Sequence, residues 1–172
     1  MRRFGLIGFP LGHSFSKKYF TEKFLLEGID ARYDLYELKS LDEFAELKVS
    51  ENLCGLNVTI PYKQQIIPFL DEMDETAAEI GAVNVIKFIR DGNDLKLKGY
   101  NSDAIGFLQS IRPYLKPHHN KALILGTGGA SLAFDYTLRK LGIEPTFVSR
   151  TPAEGQLSYS DLSETVLKEY PI

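Results

Sequence analysis

Four short stretches concentrate hydroxyls, amides, one ammonium and one carboxylate where apolar runs give way to turns. They are Ser14 and Ser16 in "GHSFS", Asn57, Thr59 and Lys63 in "NVTIPYK", Asn84 in "AVN", and Asp103 in "NSD". Such a set matches a small polyhydroxylated acid better than an apolar ligand, because each polar group fixes one ligand oxygen. Taken singly, each residue also has an ordinary structural reading. Thr59 reads as a strand residue, Asp103 as a helix cap and Lys63 as a solvated charge. What points to a ligand is their grouping at strand ends, the side of an open α/β sheet where ligands bind.

Two glycine stretches raise a second chemistry, the holding of a phosphate. In "GLIGFPLGHSFS" the spacing of Gly5, Gly8 and Gly12 departs from G-x-G-x-x-G, and Pro10 removes an N–H donor, so this turn is not read as a pyrophosphate cradle. "ALILGTGGASLAF" suits the task better. An apolar run ends at Gly126, then Thr127, Gly128, Gly129 and Ala130 lead into a helix whose free N–H groups and positive dipole end attract anions. Ser131 stands where the usual third glycine would be, small enough for helix–strand packing. After the next apolar run come Ser149, Arg150 and Thr151 instead of the acid an NAD site uses. A guanidinium fork with two hydroxyls suits a ribose 2′-phosphate, which favours NADP over NAD.

These sites must be positioned by elements whose order is legible. The 172 residues, 44% hydrophobic and 25% charged, suffice for one domain or two small ones with a real core. A net charge of −3 argues against a nucleic-acid partner. No apolar run reaches the roughly 20 residues that cross a bilayer. The start "MRRFGLIGFPLGHSFS" is not read as a leader, since Gly8, Pro10 and His13 interrupt it and no small-residue cleavage site follows. The single cysteine, Cys54, excludes an internal disulfide, fits a reducing cytoplasm and reads as a buried thiol. His118 and His119, adjacent and without further ligands nearby, are not read as a metal site.

Strand and helix patterns alternate. "RRFGLIG" reads as a strand, followed by a helix with Phe15, Tyr19, Phe20, Phe24 and Leu25 on one stripe and Gly28 as its stop. "ARYDLYEL" is a strand. Ser40 with Glu43 forms a capping box for the next helix. "LCGLNVTI" is a third strand, then helical stretches run to Ala82 with a break near Pro68. "VNVIKFI" and "LKLKGY" flank Arg90-Asp91-Gly92-Asn93 and form a hairpin. A helix from Ser102 to about Arg112 leads into the polar link "PYLKPHHN", and strand, helix, strand and a helical stretch "SYSDLSETVLKEY" follow. The expectation is α/β: an open α/β substrate-binding domain over 1–112, then an incomplete Rossmann-like NADP-binding domain over 113–172.

The ordered segments "GHSFS", "GLNVTIPYK", "GAVNV", "GYNSDAIGF" and "LGTGGAS" resemble those of shikimate dehydrogenases, which reduce 3-dehydroshikimate with NADPH in aromatic amino-acid synthesis. The resemblance implies that Ser14 and Ser16 bind the substrate carboxylate and that Asn57 and Thr59 lie in a second substrate motif. It further implies that Asn84 and Asp103 hold ring hydroxyls and that Lys63 with Asp103 is the catalytic pair. Gly126, Thr127, Gly128, Gly129, Ala130 and Ser131 would form the NADP loop, with Ser149, Arg150 and Thr151 at the 2′-phosphate.

Against the family pattern the chain lacks an "N-x-T-P"-like segment, a substrate-contacting glutamine and the terminal helices. The sequence reading therefore treats it as a fragment whose uncovered sheet edge and apolar face invite association, for instance as a homodimer. Two alternatives stand beside the enzyme. One is a non-catalytic module binding shikimate-like acids. The other is a related dehydrogenase preferring quinate or NAD.

Overall fold

Strand β1 (Arg2–Gly8) alternates its side chains between two cores. Leu6 joins Leu11, Tyr33 and the rings of Phe20 and Phe24 on one face. Ile7 joins Phe44, Leu56, Val58 and Ile86 on the other. In a sheet covered on both sides, neighbouring residues can both be apolar because each has its own core to enter. The computed structural model describes residues 1–50 and 52–172, and these divide into two compact units, Met1–Asn101 and Ser102–Ile172.

The first unit continues through α1 (Ser16–Leu26), β2 (Ala31–Glu37), α2 (Asp42–Ser50), β3 (Leu53–Val58) and α3 (Tyr62–Gln65). A 3₁₀ turn (Ile67–Phe69), β4 (Glu72–Met73), α4 (Glu75–Ile80) and the hairpin β5 (Val85–Asp91) and β6 (Asp94–Tyr100) complete it. The sheet order is β2-β1-β3-β5-β6-β4. β1 pairs in parallel with β2 and β3, β5 runs antiparallel to β3 and β6, and β4 is parallel to β6. The hairpin turns where expected, with Asp91 opposite Asp94 and Gly92 at φ 59°, a left-handed conformation that glycine adopts without penalty.

Several local expectations shift. In α1 only Phe20 and Phe24 of the stripe face the sheet. Phe15 lies outside the helix, and Leu25 is 82% exposed. The capping box forms by half: Glu43 Oε1 accepts from the Ser40 N–H at 3.1 Å, while Ser40 Oγ accepts from the N–H of Asp42 at 3.2 Å. The stretch after Pro61 contains the short strand β4 as well as helical turns. Cys54 is half-buried rather than enclosed, on the wall of a cavity of about 370 Å³ between α1 and the strands, shared with Phe20, Phe24, Val85, Lys87 and Tyr100.

The glycines of β1 are there for contact. A Cβ on Gly5 would lie 2.5 Å from the Tyr36 ring and 2.6 Å from the Asp34 carbonyl oxygen. On Gly8 it would collide with the Thr59 methyl and come within 2.9 Å of the Ile60 carbonyl oxygen. Both positions are closed to a side chain by neighbouring protein atoms.

The second unit comprises α5 (Asp103–Ile111), a 3₁₀ turn (Arg112–Tyr114), β7 (Lys121–Leu125), α6 (Gly129–Lys140) and β8 (Glu144–Ser149). β9 (Leu157–Ser158), a 3₁₀ turn (Tyr159–Asp161) and α7 (Glu164–Glu169) follow. Its sheet is parallel, in the order β7-β8-β9. On the other side of β7 the Leu123 N–H donates to the carbonyl of Ile172. The compact unit begins before α5, whereas the sequence reading carries the first domain to residue 112. Phe107 and Ile111 of α5 enter the core of the second unit, Phe107 meeting the Phe134 ring at 4.4 Å. The stretch read as helical from Ser158 opens instead on the last residue of β9 and a 3₁₀ turn.

Candidate active site

Ser14 and Ser16 sit where β1 hands over to α1. The Ser14 N–H donates to the Leu11 carbonyl, and Ser14 Oγ accepts from the Ser16 N–H at 3.3 Å, so one serine fixes the backbone of the other. Ser16 is the first residue of α1. Behind it stands Tyr33 of β2, only 3% exposed, whose hydroxyl donates to Asn57 Oδ1 at 2.8 Å and is hydrogen-bonded by Ser16. Burial pushes this phenol well above its ordinary range, and the Ser16 bond pulls the other way. The Phe20 ring stacks on Tyr33 at 4.5 Å. Three residues remote in sequence thus meet through one buried hydroxyl.

Tyr33→Phe leaves the Asn57 amide oxygen without its donor in a half-buried place. It is expected to destabilise the protein by roughly 1–3 kcal/mol, read from the denaturant midpoint. An unchanged midpoint would mean that the bond contributes nothing.

Thr59 follows β3, where its N–H donates to the Ile7 carbonyl at 2.9 Å and its own carbonyl accepts from the Tyr62 N–H at 2.9 Å. Tyr62, 4% exposed, donates its hydroxyl to the Leu38 carbonyl at 2.6 Å and so bolts α3 to the loop after β2. Lys63 is the next residue, half-buried, with its carbonyl accepting from the Val83 N–H at 2.7 Å. Asn84, 8% exposed, follows; its carbonyl accepts from the Val58 N–H and its N–H donates to the Tyr100 carbonyl. Asn101, 3% exposed, holds the same turn through Nδ2 to the Ala82 carbonyl at 2.9 Å. Ser14, Ser16, Asn57, Thr59, Lys63 and Asn84 are therefore tied in around the ends of the adjacent strands β1, β3 and β5. Asp103 opens α5 and belongs to the second unit.

In the second unit a polar cavity of about 430 Å³ is lined by Gly126, Thr127, Gly128, Ser149, Arg150, Thr151 and Tyr159. Gly126 has φ 109°, which a side chain would strain, and its N–H donates to the Val148 carbonyl. Gly128 caps α6 in an extended conformation, and Gly129 starts the helix. Ala130 is half-buried, and Ser131, 9% exposed, packs inward beneath the loop. Ser149 Oγ accepts from the Thr151 N–H at 3.2 Å. Among the described residues Arg150 makes no ion pair, leaving its fork for a ligand. A left-handed glycine, a helix start and an unpaired guanidinium around one polar cavity fit a phosphate-bearing dinucleotide.

The family model of the shikimate dehydrogenase substrate binding domain matches residues 6–86. Over these residues the chain is similar to the substrate-binding domain of shikimate dehydrogenases. The NADP(+) shikimate dehydrogenase of Methanosphaera stadtmanae is 42% identical over 147 residues, covering 84% of this chain and 50% of the relative. That of Aquifex aeolicus is 41% identical over 155 residues, covering 86% of this chain and 55% of the relative. A crystal structure of shikimate dehydrogenase 1 from Peptoclostridium difficile superposes with a TM-score of 0.78 at 33% identity, covering 91% of this chain and 58% of that one. A Thermus thermophilus enzyme solved with NADP(H) and shikimate gives 0.75 at 33% identity, covering 88% of this chain and 57% of that one. The chain thus spans about half the length of these shikimate dehydrogenases, and the fold expected from the sequence, a substrate-binding α/β domain followed by a partial Rossmann-like one, is the fold observed.

Sequence reasoning missed Tyr33 and Tyr159. Tyr33 left a signal, since its alternation with Leu35 turns it into the core, where a phenol needs a partner for its hydroxyl. Tyr159 left none, because its place depends on the pairing of a two-residue strand.

Proposed function

We propose that this chain serves an NADP-dependent shikimate dehydrogenase, catalysing the reversible reduction of 3-dehydroshikimate to shikimate in chorismate and aromatic amino-acid biosynthesis. One observation carries the reading. The hydroxyl, amide and ammonium set at the ends of β1, β3 and β5 occurs in a chain similar to an enzyme solved with shikimate and NADP(H). Residues 1–112 carry the substrate-binding role and 113–172 part of the NADP-binding role, with α5 packing on the second unit while serving the first.

Ser14 and Ser16 bind the substrate carboxylate, which leaves the ring pointing toward Thr59, Lys63 and Asn84. Asn57, its Oδ1 occupied by Tyr33, keeps its amide N–H groups for the ligand. Asn84 and Asp103 hold ring hydroxyls. When bound, NADP supplies the hydride chemistry through its nicotinamide. Reduction of the ketone places negative charge on its oxygen, and Lys63 stabilises that charge and delivers the proton. In the oxidative direction Lys63 takes the proton back. Asp103 works with it as the carboxylate that anchors a substrate hydroxyl and orients the amine. Gly126, Thr127, Gly128, Gly129, Ala130 and Ser131 form the NADP loop, with Ser149, Arg150 and Thr151 around the 2′-phosphate.

The test is shikimate oxidation by the purified chain, followed through reduced-nicotinamide absorbance with NADP and then NAD. Turnover with NADP supports the enzyme. Silence with both cofactors while shikimate still binds supports a second reading, a non-catalytic module for shikimate-like acids, favoured by the partial coverage of the relatives. Absence of shikimate binding sinks both. The reading also includes cytoplasmic location, supported by the lone cysteine, and self-association into a homodimer, which sedimentation would detect.

A further inference from the structure

β9 runs parallel to β8 with Ser149 opposite Ser158, so the next residues, Arg150 and Tyr159, leave the carboxyl end of the sheet side by side. The turn that carries Tyr159 is locked. Asp161 Oδ2 accepts from both the N–H and the hydroxyl of Ser158 at 2.7 Å, a closed capping box. These bonds hold the Asp161 carboxyl below its usual range, so the lock stays ionised at neutral pH.

Tyr159 is 47% exposed and lines the cavity of Gly126, Gly128 and Arg150. Among the described residues it makes no hydrogen bond and no ring contact. A rigidly presented, half-bare aromatic face beside a free guanidinium is an arrangement for a ligand that is flat and apolar on one side and anionic on the other. A purine attached to a phosphorylated ribose has that form, and any base offers a π-face to an aromatic ring.

We infer that Tyr159 is the adenine-binding residue of the dinucleotide site, its ring face carrying the purine while Arg150 takes the 2′-phosphate. This rests on the proposed nucleotide reading of the cavity. The ring, not the hydroxyl, makes the contribution. Tyr159→Phe therefore keeps the contact, and Tyr159→Ser removes it.

Isothermal titration of the 172-residue chain with 2′,5′-ADP and with 5′-ADP tests this without turnover. Tyr159→Ser is expected to weaken both ligands by about tenfold and by the same factor, while Tyr159→Phe stays within about twofold of the parent. Equal binding by Tyr159→Ser and the parent overturns the inference. So does a loss by Tyr159→Phe that appears only with 2′,5′-ADP, since it assigns the hydroxyl to the phosphate instead. If the unsubstituted chain binds neither ligand, the nucleotide reading fails and takes this one with it. Binding of both without preference for 2′,5′-ADP overturns NADP selectivity alone. Far-UV circular dichroism of Tyr159→Ser checks that the fold is retained.

Discussion

Lys63→Ala is expected to lower kcat for shikimate oxidation about a hundredfold or more while leaving KM within a few-fold. The frame around Lys63 does not depend on its side chain. Tyr62 anchors α3 through its hydroxyl to Leu38, and Val83 donates to the Lys63 carbonyl whatever the side chain is. Truncation therefore removes the ammonium and leaves Ser14 and Ser16, the proposed carboxylate ligands, in place. Lys63→Arg sharpens the test. It keeps a cation, but a guanidinium holds its proton at every accessible pH, so charge alone is not enough and the variant should stay nearly inactive. A Lys63→Ala protein with near-normal kcat would remove Lys63 from the chemistry. A large rise in KM at unchanged kcat would make it a binding residue.

The second large effect is expected at Arg150. Replacing it by alanine should weaken NADP about ten- to a hundredfold and leave NAD nearly unaltered, since a charge-assisted bond to phosphate contributes roughly 1.5–3 kcal/mol. Arg150 is exposed, so part of its attraction is screened by salt. The preference of the unsubstituted chain for NADP over NAD should narrow as ionic strength rises from about 0.01 to 1 M, and Arg150→Ala should lose that salt dependence. An equal loss for both cofactors would mean that Arg150 shapes the cavity without reading the 2′-phosphate.

Much of the architecture was legible because its signals are local. The Gly92 turn, the run of β7 into Gly126 and the helix stop at Gly28 each rest on residues adjacent in sequence. Their backbone angles, φ 59°, 109° and 62°, are ones that glycine supplies. What was not legible depends on pairing between distant segments. β4 and β9 have two residues each, too few to show any period, and exist because β6 and β8 offer them a register. The α1 stripe misled because helical spacing says which residues share a face, not how much of that face is covered. At the site, residue types and strand-end positions pointed to Ser14, Ser16, Asn57 and Lys63. The hydroxyl that joins Ser16 to Asn57 came from a strand the motifs do not touch.

Gly8 has a consequence for how variation in this chain will be interpreted. It brings no side chain to a ligand, yet the space beside it is filled by the Thr59 methyl. Alanine there must displace the segment leading to Lys63, so in a growth-based mutational scan position 8 should score like a catalytic residue. Epistasis would reveal the difference. Thr59→Ser removes the methyl that collides and should partly rescue Gly8→Ala, a suppression that no true loss of a chemical group would allow.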